Sequence, residues 1–109
     1  MSNNLPGVTR YTTDTDVRIY RIPMVLFPNG FVGYSYLVLE AGLPTLIDAG
    51  SGFGDSNKHL LDGLEQVRTE FGEKIGLKDI AHLIVTHGHL DHFGGVAFMV
   101  EQTGAQVGI

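Results

Sequence analysis

The chain has 109 residues, 43% of them hydrophobic, with a mean hydropathy of +0.11, which suits one domain with a core and excludes a disordered tail. Seven basic against twelve acidic side chains give a net charge of −5, so a phosphate-backbone partner is disfavoured and no nucleic acid is expected. There is no cysteine, which excludes disulfides, thiolate metal sites and a cysteine nucleophile.

The opening Met1-Ser2-Asn3-Asn4 lacks the basic and apolar stretches of a leader. No apolar run approaches the roughly 20 residues of a membrane span. A cytoplasmic protein with no membrane partner is therefore expected. Residues 1–16 are polar, with Pro6, Gly7 and five Ser or Thr, and read as a loose arm or an edge segment. Val17 to Ile22 reads as a short strand that ends at Pro23, which has no N–H to give to a ladder. Pro28-Asn29-Gly30 is a turn signal. Gly33 to Glu40 is rich in aromatic and β-branched residues and reads as a second strand. Tyr34, Tyr36 and Val38 form one of its faces, and Ser35, Leu37 and Leu39 the other. Both carry apolar groups, so both are expected to be covered.

Ala41 to Pro44 turns the chain, Thr45 to Asp48 is a third strand, and Ala49 to Gly54 is a glycine-rich loop. A helix follows. Asp55 or Ser56 can cap it, and Leu60, Leu61, Leu64, Val67 and Phe71 fall on one stripe. Gly72 is its left-handed stop. His59 is assigned to its surface, and His59 and His82 are read as structural. Residues 76–80 form a connector or one helical turn, His82 to Thr86 a buried strand, and 94–103 a second helix stopped by Gly104. Ala105 to Ile109 begins a further strand. The leading strands are expected to pair antiparallel, with right-handed β-α-β crossovers after them. The fold class is α/β: a mixed sheet with flanking helices.

Thr86 to Gly95 reads T-H-G-H-L-D-H-F-G-G. It gathers His87, His89, Asp91 and His92 within six residues. With five His and seven Asp in the chain, chance would produce this His-x-His-x-Asp-His pattern about six times in ten thousand. If the chain leaves the strand extended, residues two apart point the same way, so His87 and His89 share a side. Asp91 and His92, at the entry to a helix, can turn back toward the same point. The position past the carboxyl end of a strand is where α/β sheets usually hold ligands. Crowded imidazoles beside a carboxylate repel when protonated and lose hydration when buried, and a shared cation removes both penalties. Neutral imidazole and carboxylate suit zinc, and also accept manganese or iron. Gly88, Gly94 and Gly95 suit sharp bends or close approach to metal or substrate, and Phe93 suits a core aromatic. Asp48 ends an apolar strand. It reads either as a turn cap or as a carboxylate that orients a ligand histidine or steadies the neighbouring loops.

These residues resemble the metallo-β-lactamase-fold metallohydrolases, glyoxalase II-like members included. The resemblance rests on Thr86 to Gly95, and upstream on Tyr36-Leu37-Val38-Leu39 and Leu46-Ile47-Asp48-Ala49-Gly50. It covers about residues 17–109. It implies an αβ/βα sandwich with a dizinc site, in which His87 and His89 hold the first ion and Asp91 and His92 the second. It implies hydrolysis of a small-molecule thioester, lactone or similar ester by water that the metals activate, with Asp91 orienting that water or relaying its proton. The superfamily places further ligands downstream, whereas no His or Asp follows His92. The chain therefore reads as an amino-terminal portion: an arm over 1–16 and a partial domain over 17–109, its carboxyl half absent. As such it is expected to be inactive alone and to associate through exposed sheet surface. The alternative is a non-catalytic metal-binding module assembled by oligomerisation.

Overall fold

A computed structural model describes residues 5–25, 32–40, 42–52, 54–86 and 90–108, with 90–94 as backbone only. Among the described residues there are six strands, β1 (Thr9–Thr12), β2 (Arg18–Val25), β3 (Val32–Leu39), β4 (Thr45–Ile47), β5 (His82–Ile84) and β6 (Gln106–Gly108). They lie in one sheet in chain order. Pairings from β1 to β4 are antiparallel, and β4–β5 and β5–β6 are parallel. Two helices make the parallel connections, α1 (Ser56–Glu70) before β5 and α2 (Leu90–Thr103) before β6. A 3₁₀ turn at Leu77–Asp79 occupies the expected connector. The expected α/β class with a mixed sheet is the architecture found.

Alternation along the strands selects the packed face. Tyr20, Ile22 and Met24 of β2, Leu37 and Leu39 of β3, Leu46 of β4 and Leu83 of β5 meet Leu60, Leu64 and Val67 of α1 and Met99 of α2 in one core. Each fully buried aliphatic side chain there contributes roughly 1.5–3 kcal/mol. Gly63 lets α1 lie directly on β2, since a Cβ at that position would sit 2.3 Å from Ile22 Cγ2. Gly72 and Gly104 take φ values of 75° and 73°, the left-handed stops expected after the two helices.

Several expectations change. The strand expected to end at Pro23 runs on to Val25. The Val25 N–H turns away from β3 to His59 Nδ1, 3.0 Å away. With period two, the nitrogen of Pro23 faces that same side, where β1 no longer pairs. His59, expected at the surface, is half-buried and closes this strand end. Only one face of β3 is covered by the described helices: Ser35, Leu37 and Leu39 are buried, whereas Tyr34 is 37% exposed and Tyr36 and Val38 are half-buried. On that open face the Arg21 guanidinium lies 4.7 Å from the Tyr34 ring centre and 6.0 Å from that of Tyr11. Asp55 occupies the N-cap of α1 without a side-chain cap bond. The Ser56 hydroxyl accepts the Ser51 N–H at 3.1 Å. The second helix starts at Leu90 rather than at 94, so Asp91 and His92 belong to its first turn.

Among the described residues no helix is long and apolar enough to cross a membrane.

Candidate metal-binding site

The parallel strands β4 and β5 end side by side, with Ile47 opposite Ile84. Beyond them the Asp48 N–H donates to the Ile84 carbonyl at 2.8 Å, and the Val85 N–H to the Gly108 carbonyl at 2.9 Å. Asp48 then turns left-handed at φ 64°. Asp and Asn tolerate that conformation better than other residues with side chains, because their short polar groups bond locally. The turn sets the Asp48 carboxylate against Thr86. Oδ1 accepts the Thr86 N–H at 2.9 Å, and Oδ2 accepts its hydroxyl at 2.6 Å. Two directional bonds, one from the backbone and one from the side chain, thus hold the residue that immediately precedes His87.

The loop after Asp48 is packed as closely. Gly50 has φ 77°, and a Cβ there would lie 2.4 Å from Ser56 Oγ and 2.8 Å from Met24 Sδ. The buried Gly95 of α2 backs onto the same loop, where a Cβ would come within 1.9 Å of the Ala49 carbonyl oxygen. At Gly95, read from the sequence as suiting a sharp bend or close approach to metal or substrate, the close approach found is to the Ala49 backbone. The contact brings the first turns of α2 against the Asp48 loop, and that stretch of α2 includes Asp91 and His92.

His87, Gly88 and His89 lie outside the described residues, as do the side chains of Leu90, Asp91, His92 and Phe93. The structure thus brings Asp48, Thr86 and the start of α2 to one rim and positions the segment at both of its ends. Among the described residues no three His, Asp or Glu side chains gather elsewhere into a metal-binding group. His82 opens β5, at the end opposite Thr86, and His59 is engaged by Val25. A cleft of about 320 Å³ lined by Leu61, Leu64, Ile75, Leu77 and Ile80 shares no lining residue with this rim.

Sequence reasoning singled out Asp48 but passed over Thr86 as a partner and Ser35 altogether. Ser35 carried a signal: a hydroxyl on the apolar face shared with Leu37 and Leu39. Its Oγ donates to the Asp48 carbonyl and lies 3.1 Å from that of Ile47.

Comparison with known proteins agrees with this fold. The chain is similar to the FEZ-1 metallo-beta-lactamase from Legionella gormanii, with a TM-score of 0.67 and 18% identity over 98% of this chain and 34% of that one. It is similar to a Cronobacter sakazakii metallo-beta-lactamase, with a TM-score of 0.61 and 22% identity over 93% and 33%. MEM-A1, a subclass B3 metallo-beta-lactamase from a soil metagenome library, matches with a TM-score of 0.61 and 22% identity over 82% and 28%. At these identities the likeness establishes the fold, and the chain spans about a third of each of those proteins. The family model of the Metallo-beta-lactamase superfamily matches residues 28–109, most of the sequence, and the chain belongs to that superfamily.

Proposed function

We propose that the chain carries half of the ligand set of a metal-dependent hydrolase, with His87 and His89 holding one zinc ion and Asp91 and His92 a second. The observation that carries this reading is the Asp48–Thr86 clamp, which anchors the residue before His87 at the rim where α2 begins. Three imidazoles and a carboxylate are a donor set that zinc accepts, and manganese or iron would be tolerated. Zinc, when bound, supplies a Lewis acid and a water acidic enough to attack near neutral pH. The chain's own residues do the positioning. Asp48 holds Thr86, Gly95 lets α2 close on the Ala49 carbonyl, and Asp91 orients the attacking water or takes its proton.

The substrate class we assign is a small-molecule thioester, lactone or similar ester, as in glyoxalase II-like relatives. The solved neighbours are named as beta-lactamases, so a β-lactam belongs in the same test. Two protein ligands per ion leave each centre short of the three usual in catalytic zinc sites. The 109-residue chain is therefore expected to bind metal and to be inactive alone. Its open sheet face, with Tyr11, Arg21 and Tyr34, is the surface proposed for association.

Elemental analysis of the purified chain loaded with zinc, beside a His87→Ala/His89→Ala variant, tests the binding. The parent should retain zinc and the variant should lose most of it. Equal retention would refute the assignment. Light scattering separates the readings further: a discrete oligomer that forms only with zinc favours the non-catalytic module. Hydrolysis of a thioester, a lactone or a β-lactam by a longer form of the chain would establish the enzyme.

A further inference from the structure

Ser35 is wholly buried and faces Ile22 across the strand pair, on the side of the sheet that packs against the helices. A side chain there would ordinarily be apolar, since a buried hydroxyl must find a partner. Its partners are two successive carbonyls, those of Ile47 and Asp48. The β3–β4 ladder ends at the pair Tyr36–Ile47. Past that point the chain leaves the sheet, and buried carbonyls need another donor. The Ser35 hydroxyl supplies it at the place where Asp48 adopts φ 64°. Left-handed residues other than glycine persist only where their surroundings hold them.

We propose that Ser35 is a positioning residue for the metal-binding segment, acting through Asp48. The hydroxyl pins the left-handed turn, the turn aims the carboxylate, and the carboxylate fixes the N–H and hydroxyl of Thr86, the residue next to His87. The inference rests on the proposed metal reading of His87, His89, Asp91 and His92, and assigns to a strand residue the task of setting where that segment starts.

The test uses cobalt(II) as a visible substitute for zinc. Affinity is read from its d–d absorption, and the bond to Asp48 from hydrogen exchange of the Thr86 amide in the metal-free chain. Ser35→Ala should weaken cobalt binding by about 10- to 100-fold, the usual loss when a partner supporting metal ligands is removed. Exchange at Thr86 should accelerate by about 10-fold or more on the same argument. In an Asp48→Ala background, where Thr86 has lost its side-chain acceptor, the Ser35→Ala change should add nothing to either readout, because one path carries both. Val67→Ala, a cavity in the core under α1, should lower the melting temperature and leave cobalt affinity unchanged. If Ser35→Ala does not fold, Ser35→Cys, nearly the same size with a weaker donor, should show the same losses in smaller measure. Unchanged affinity, or additive losses in the double variant, would overturn the proposal alone. A parent chain that binds no cobalt would overturn the metal reading and with it the link from Ser35 to a metal, whatever the Thr86 amide shows.

Discussion

The two ends of the sheet each hold a carboxylate in a connecting segment, and they hold it by different means. At the end where β2 begins, Glu73 follows α1 and accepts from Arg18 Nε, from Arg18 Nη2 at 2.9 Å and from the Tyr20 hydroxyl at 2.6 Å. At the end where β4 and β5 finish, Asp48 accepts from the backbone and hydroxyl of Thr86. A charge pair tolerates some slack, because Coulomb attraction falls slowly with distance. A bond from a backbone N–H weakens steeply when misaligned. Glu73 therefore fastens the end of a helix to the sheet. Asp48 fixes the orientation of Thr86 at the sheet's end.

The largest effect should come from the contact that closes the Asp48 end. Gly95→Val would drive side-chain carbon into the Ala49 carbonyl, and should lower the unfolding free energy by about 3 kcal/mol or more in urea titration. A loss under about 1 kcal/mol would mean that α2 can retreat, and that this rim is less tightly built than the Glu73 end. Next comes Glu73→Gln, which leaves Arg18 without its anionic partner and should cost about 2 kcal/mol, between an exposed pair and a buried one. The same pair sets an acid response. The hydrogen bonds from Arg18 hold the Glu73 carboxyl below its usual value of 4.5, against the opposing effect of burial. Its contribution is then complete above that value and is lost as pH falls through the lower, folded-state value. Acid titration followed by circular dichroism should show this loss below pH 4.5 in the parent and a shallower one in Glu73→Gln.

Asp48→Asn should cost only about 1 kcal/mol of stability, since an acceptor for the Thr86 N–H remains. It should nevertheless weaken cobalt binding far more than Glu73→Gln does. Equal losses of metal from the two variants would erase the distinction between a fastening and an aiming carboxylate. The smallest effect belongs to Lys58→Ala. Lys58 pairs with Asp62 in full solvent on α1, and its removal should leave the melting temperature within experimental error.

Much of the fold was readable because its signals are local and periodic. The stripe through Leu60, Leu64 and Val67 marks α1, and glycines stop both helices at the expected positions. The errors arose where a neighbour decides. Pro23 reads as a strand end until β1 is seen to stop short of it, which leaves a stretch of β2 where no ladder bond is required. The expectation that both faces of β3 are covered is met on one face among the described residues, because apolar content says that a side chain favours burial, not which element lies over it. At the candidate site the proposed ligands and their spacing are written in one short segment, whereas the contacts that flank it are spread over Ser35, Asp48, Thr86 and Gly95. Only the fold brings these together, and no spacing rule joins residues 60 positions apart.

Because each strand joins the edge left by its predecessor, the sheet can be assembled in the order of synthesis. Among the described strands none is inserted between partners that paired earlier, so each edge is covered by the strand that follows it in the sequence. The Asp48 turn, held on β3 by the Ser35 hydroxyl, can thus begin to form early, and its own N–H and carboxylate find their partners only when Ile84 and Thr86 follow.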